Sequence, residues 1–277
     1  MARLVGYFAN QTDRLRCALR LDGPAIAFGA ERIDGWGVGS YQGGEVLLRK
    51  RPTESREALD LADLTRDLRT ACALAHARSA TVGARSLANT HPFRHHQWLF
   101  AHTGTLPRFG EARREILAGV PEHLARGVRG DTDSEAMFFA FLGAVYRAGR
   151  LEDPDFDRQG ITAALGEAVD AVDRACGEPA PMCAVVTHGH AMVAFARGAP
   201  LSYLLRRGIR DCAACRRAPE MAGRDARRAD HESLRYVFLA DAAVEAPGWQ
   251  RAPGGEEAPR GCFVSVDLGL DVRVTPR

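Results

Sequence analysis

Three short segments bring together residue types that recognise or act on a charged small molecule. His76-Ala77-Arg78-Ser79-Ala80-Thr81 closes an apolar run that starts at Cys72, so Arg78 stands where a strand would end. A guanidinium there clamps a carboxylate through its two-pronged fork, with the Thr81 hydroxyl adding a hydrogen bond; a structural ion pair uses the same arginine equally well. Phe100-Ala101-His102-Thr103-Gly104 is a second apolar run that breaks at a glycine, and backbone N–H groups at such a turn converge on an oxyanion. Gly130-Asp131-Thr132-Asp133-Ser134-Glu135 opens an apolar helix. Residues of these types cap helices, whereas a carboxylate left free, that of Asp133, would hold an ammonium. Each piece alone has a plain structural use; the order strand-arginine, strand-glycine, helix-aspartate is what points to a site.

Two other clusters invite a metal and are read against it. His76, His91, His95, His96 and His102 lie within 27 residues, but only His91 and His95 have a four-residue spacing, and Pro92 falls between them. Proline argues against the helix that such a pair of ligands would need. Cys212-Ala213-Ala214-Cys215 is a C-x-x-C, and His231 is the nearest further ligand. That gives three at most where zinc takes four, so no structural metal and no cofactor are expected, and the pair is read as free thiols or a reversible disulfide far from Arg78. Cys17, Cys72, Cys176, Cys183 and Cys262 are expected to fill apolar positions as small hydrophobes.

Taken together, Met1-Ala2-Arg3-Leu4-Val5-Gly6-Tyr7, Gly35-Trp36-Gly37-Val38-Gly39, His76-Ala77-Arg78-Ser79-Ala80-Thr81, Asn89-Thr90-His91-Pro92, His102-Thr103-Gly104 and Gly130-Asp131-Thr132-Asp133-Ser134-Glu135 resemble the successive motifs of the class II glutamine amidotransferases. These are N-terminal-nucleophile hydrolases with an αββα sandwich of two mostly antiparallel sheets. The likeness is nearest to stand-alone members that include the γ-glutamyl hydrolase of ergothioneine biosynthesis. It implies that Arg78 and Thr81 hold the α-carboxylate of glutamine or a γ-glutamyl compound and Asp133 its α-ammonium. Gly104 would offer a backbone donor to the oxyanion, and His91 would belong to the loop that shapes the site.

Two positions depart from the family pattern. The family's nucleophile is a cysteine directly after the initiator methionine, its own α-amine serving as the base; here that residue is Ala2. A methyl group cannot form the thioester, so hydrolysis is expected to be absent, through an engineered trap or in a natural pseudoenzyme. The alternative is a γ-glutamyl-binding or regulatory module. The family's oxyanion asparagine is Thr103, and losing one such donor costs about a hundredfold to a thousandfold in rate.

The elements that must position these residues read as strands, then helices, then strands. Leu4 to Ala9 is a strand at the start, and Gly37 to Tyr41 with Glu45 to Lys50 a hairpin around Gly43-Gly44. A helix is predicted from Ser55 to Arg69, with Ser55 as its cap, and others over Asp133 to Arg150 and Ile161 to Cys176. Strands are predicted over Met182 to Thr187, Met192 to Ala196, Leu201 to Leu205, Leu234 to Ala240, Cys262 to Asp267 and Asp271 to Thr275. Segregated strands and helices argue an α+β architecture, taken as a single domain over 1–277 with a polar, arginine-rich insertion at about 206–233.

Composition narrows the partners. Of 277 residues 46% are apolar and 26% charged, as in a folded globular chain. With 37 basic against 35 acidic residues, the chain lacks the basic excess of a nucleic-acid-binding domain. No apolar run approaches the roughly 20 residues that span a bilayer. The first residues lack the pattern of a secretory signal, and the scattered cysteines do not suggest a secreted disulfide framework. A cytoplasmic location is therefore expected. Neither a partner synthase nor an oligomeric state is legible.

Overall fold

The structure is a computed structural model that describes residues 3–29, 32–55, 59–210, 212 and 231–277. Alternation in the first strand decides its layering. In β1 (Leu4–Ala9), Leu4 and Phe8 face one apolar layer while Val5, Tyr7 and Ala9 face another, as neighbouring side chains on a strand must. β1 sits between β4 (Cys72–Arg78) and β10 (Arg235–Ala240). Beyond β4 lie β2 (Ile33–Gln42) and β3 (Glu45–Ser55), and beyond β10 lie β9 (Ser202–Arg207) and β11 (Trp249–Arg251), giving a seven-stranded sheet. A six-stranded sheet runs β13 (Arg273–Pro276), β12 (Cys262–Asp267), β8 (Ala191–Arg197), β7 (Met182–Thr187), β6 (Trp98–Gly104), β5 (Phe93–His95). Every pairing in both sheets is antiparallel.

The two sheets pack face to face through Leu4, Phe8, Leu74, Leu99, Val185 and Leu239, among others. On the outer face of the seven-stranded sheet lie α1 (Leu15–Ile26) and α2 (Leu61–Leu64). Over the six-stranded sheet lie α3 (Phe109–Ala118), α4 (Glu122–Ala125), α5 (Asp133–Arg147) and α6 (Arg158–Cys176). This is the αββα sandwich that the motif resemblance implied. Among the described residues no helix is long and apolar enough to cross a membrane.

Two local expectations are corrected. The helix predicted from Ser55 shrinks to the four residues of α2, capped by Asp60, whose carboxylate accepts the Ala62 and Asp63 N–H groups. Ser55 instead ends β3, paired with Ile33 across the β2–β3 ladder, so it does not cap a helix. α1 was not foreseen because Gly23 and Pro24 lie inside it, residues that argue against a helix interior.

Candidate functional site

The same alternation that layers the sandwich aims a row of polar groups between the sheets. On β4, Cys72 and Leu74 point inward, so His76 and Arg78 follow them on that face. On β6, Leu99 and Ala101 point inward and Thr103 continues the row, while His102 lies on the face toward α5. These ends meet in a cleft of about 160 Å³ lined by Arg3, His76, Arg78, Thr81, His91, His102, Thr103, Gly104, Asp133 and Ser134, with a few neighbours. Six of the seven residues singled out from sequence therefore line one cavity. The seventh, Ala2, lies outside the described residues; Arg3, to which it is bonded, is among the lining.

Arg78 is 3% exposed and, among the described residues, is not half of an ion pair. Its Nη2 donates to the carbonyls of Val82 and Gly83, at 2.8 and 3.0 Å, which fixes the plane of the fork. Its Nη1 is buried and finds no partner among the described residues. Burial lowers its pKa, opposed by the Asp34, Asp131 and Asp133 charges, and a guanidinium, whose ordinary pKa is far above neutrality, remains a cation. A buried cationic donor without an acceptor is costly to leave unmet.

Asp133 is not the helix cap. That task falls to Thr132, whose hydroxyl accepts the Glu135 N–H, while the Glu135 carboxylate reaches back to the Arg129 and Gly130 N–H groups. Asp133 is thereby free to turn into the cleft. Its Oδ2 accepts the Leu106 N–H at 2.9 Å, while its Oδ1 accepts both the Ser134 N–H at 2.8 Å and the Ser134 hydroxyl, so Oδ2 retains a lone pair. Ser134 Oγ lies 2.9 Å from His102 Nδ1 and 3.3 Å from Asp133 Oδ1.

Glycine is obligatory at two positions here. Gly104 has φ +133°, and a side chain on it would meet the Pro181 carbonyl at 2.7 Å, so the backbone stays open toward the cleft. A side chain at Gly37 would stand 2.2 Å from the His91 carbonyl, which lets the His91-Pro92 loop lie directly on β2. His91 Nδ1 faces His76 Nδ1 at 3.1 Å, so one ring donates and the other accepts. Burial is the leading cause that lowers both, His76 to about 3. His102 is lowered too, chiefly by burial. Thr81 sits at the exposed rim, its hydroxyl 2.8 Å from that of Thr105.

Sequence reasoning missed Asp241. It follows β10, and its Oδ1 accepts the N–H groups of Arg3 and Leu4, both at 2.7 Å. It thus pins the backbone beside position 2. Burial raises its pKa to about 6 against the lowering effect of Leu4, Thr103 and Arg3. The Thr103 side chain is thus turned to a carboxylate. The signal that could have found Asp241 is the pairing of the first strand with β10, which sets Val5 opposite Ala240.

Burial disfavours the thiolate form of several cysteines among the described residues. Burial pushes Cys72 up to about 12 and Cys262 to about 11, and lifts Cys183, Thr103's partner across the β6–β7 ladder, well above its usual range with help from the Asp241 charge. Among the described residues the one group of three metal-competent side chains whose ligand atoms converge is Cys17, Cys212 and His231. Cys215 lies outside the described residues.

A family model described as glutamine amidotransferases class-II matches residues 1–217. Over 178 residues the chain is 28% identical to the probable glutamine amidotransferase DUG3 of Saccharomyces cerevisiae, a match covering 58% of this chain and 50% of that one. The chain thus spans about half the length of that curated relative. Over 81 residues it is 36% identical to the gamma-glutamyl-hercynylcysteine sulfoxide hydrolase of Mycobacterium tuberculosis, covering 29% of this chain and 35% of that one. A solved glutamine aminotransferase class-II domain protein from Silicibacter pomeroyi superposes with a TM-score of 0.57 over 99% of this chain and 98% of that one, at 17% identity, a likeness of fold.

Proposed function

The chain belongs to the class II glutamine amidotransferases, and on that footing we propose that it binds glutamine or a γ-glutamyl compound between Arg78 and Asp133 and, with Ala2 at the nucleophile position, does not hydrolyse it. The observation that carries this reading is the unpartnered, buried Nη1 of Arg78 in the same cleft as the Asp133 carboxylate. A zwitterionic amino acid offers the complementary pair: its carboxylate meets Arg78, its ammonium meets Asp133, and its side chain extends toward Gly104 and the start of the chain. The relative that acts on a γ-glutamyl compound supports the same substrate class.

Chemistry would require a nucleophile. In Ala2→Cys the thiolate adds to the γ-carbonyl carbon, the amide nitrogen leaves as ammonia after taking a proton, and water then cleaves the thioester to release glutamate. The negative charge on the intermediate needs donors. Thr103, turned toward Asp241, leaves that hole short of one. The chain as it stands is expected to release no ammonia from glutamine, and Ala2→Cys to release it slowly. The double variant Ala2→Cys, Thr103→Asn is expected to be faster than Ala2→Cys by about a hundredfold to a thousandfold. A coupled ammonia assay measures all three; release by the parent chain at the rate of Ala2→Cys would sink the nucleophile assignment.

A further inference from the structure

Away from the cleft, three segments that are remote in sequence converge on one point. Cys17 lies in the first turn of α1, Cys212 follows β9, and His231 opens the turn of helix at 231–233 that leads into β10. Their Sγ and ring nitrogen atoms all lie within 4.8 Å of one another, and Cys17 Sγ is 3.4 Å from His231 Nε2. Tetrahedral zinc, with bonds of about 2.3 Å to sulfur and 2.0 Å to nitrogen, holds a thiolate and an imidazole about 3.5 Å apart. We propose that Cys17, Cys212 and His231 bind a structural zinc ion.

Backbone hydrogen bonds already bring two of these segments together. Gly208 N–H donates to the Leu234 carbonyl at 2.7 Å and Ile209 N–H to the His231 carbonyl at 2.8 Å, so the chain leaving β9 runs beside the chain entering β10. α1 is tied to the same place by the Asp22 carboxylate, which accepts from Arg206 of β9 and Tyr236 of β10. The ligands therefore sit on a frame that is held without the ion. Two thiolates and a neutral imidazole cancel the charge of Zn²⁺. A neutral site suits this position, since Cys17 is buried in the apolar layer with Ile209 and Leu234, and Cys212 packs against it. Thiolates with an imidazole select zinc over the hard cations that prefer oxygen.

Sequence spacing argued against a metal because it counted only local ligands. Cys17, 214 positions from His231, is supplied by tertiary structure alone. The fourth coordination position is left to water. The ion would fasten the chain leaving β9 and the turn of helix before β10 to α1, a role independent of the Arg78 cleft.

Elemental analysis of the full chain, purified without chelator, tests the proposal. About one zinc per chain is expected, falling at least fivefold in Cys17→Ser, Cys212→Ser and His231→Ala. Cobalt taken up in its place should show thiolate-to-metal charge transfer and the intense visible bands of a tetrahedral ion. A strong chelator should lower the parent's melting temperature by about 5 °C or more and leave the melting of Cys212→Ser unchanged. Less than about a tenth of an ion per chain in the parent after growth with added zinc would overturn the proposal. So would a cobalt spectrum without thiolate bands, readings that do not depend on whether any variant folds.

Discussion

Arg78→Ala is expected to weaken binding of L-glutamine by about thirtyfold to several thousandfold, equivalent to about 2 to 5 kcal/mol. The range follows from what is removed. In the bound state the Arg78 fork would face a carboxylate in a site shielded from water, where a charge-assisted pair is strong. Its loss leaves that anion unmatched opposite the Asp133 carboxylate. Truncation also removes the two bonds from Nη2 to the Val82 and Gly83 carbonyls, so part of the effect comes from loosening that loop. Arg78→Lys separates the contributions. Lysine retains the positive charge without the planar fork, so it should bind more tightly than Arg78→Ala and more weakly than the parent. Equal affinities for the parent and both variants, measured by isothermal titration, would remove Arg78 from the site.

Acid should destabilise the protein through the buried histidines, and for His76 the contribution has a size. Its folded pKa lies near 3, below the ordinary value of 6.5, because burial and the nearby cationic groups penalise its charged form. Below pH 6.5 the unfolded chain binds a proton that the folded chain refuses, so stability present at neutral pH is lost as the pH falls. By pH 4.5 His76 alone accounts for about 3 kcal/mol. His91 and His102, also lowered, act in the same direction.

Asp241 acts in the opposite direction. Its folded pKa of about 6 exceeds the ordinary 3.8, so protonation between those values favours the folded state, by about 2 kcal/mol from pH 7 to 4.5. Urea unfolding at pH 7 and 4.5 distinguishes the contributions. Relative to the parent, His76→Gln should gain about 3 kcal/mol across that interval and Asp241→Asn should lose about 2 kcal/mol. A parent and His76→Gln with parallel pH profiles would mean that His76 titrates normally in the fold.

The parts of the site that were legible in the sequence are those fixed by local pattern. Arg78, Thr103 and Gly104 fall at the ends of the apolar runs that form the buried strands β4 and β6, and Asp133 opens a helix whose apolar content is continuous through Val145. The family motifs then supplied their roles. Asp241 carries no local signal: it matters because β10 pairs with β1, and long-range pairing is not written in spacing. The same holds for Cys17, which ordinary burial explained well until its tertiary neighbours were seen. Ser55, read as a helix cap, is held instead in the ladder with β2, a long-range pairing that local spacing does not show. At α1 the reverse happened, and packing on the sheet overrode the disfavour of Gly23 and Pro24.

On the proposed function, a cleft with a cation at one side and an anion at the other selects the α-amino acid end of a γ-glutamyl compound. Calorimetric titration of the parent chain with L-glutamine, alongside 4-aminobutanamide, which keeps the γ-amide and the amine but lacks the carboxylate, tests it most directly. Saturable one-to-one binding of glutamine, with no ammonia released and at least a thirtyfold weaker response to the carboxylate-free compound, is the predicted result. Equal binding of both compounds, or of neither glutamine nor a γ-glutamyl dipeptide, would contradict it.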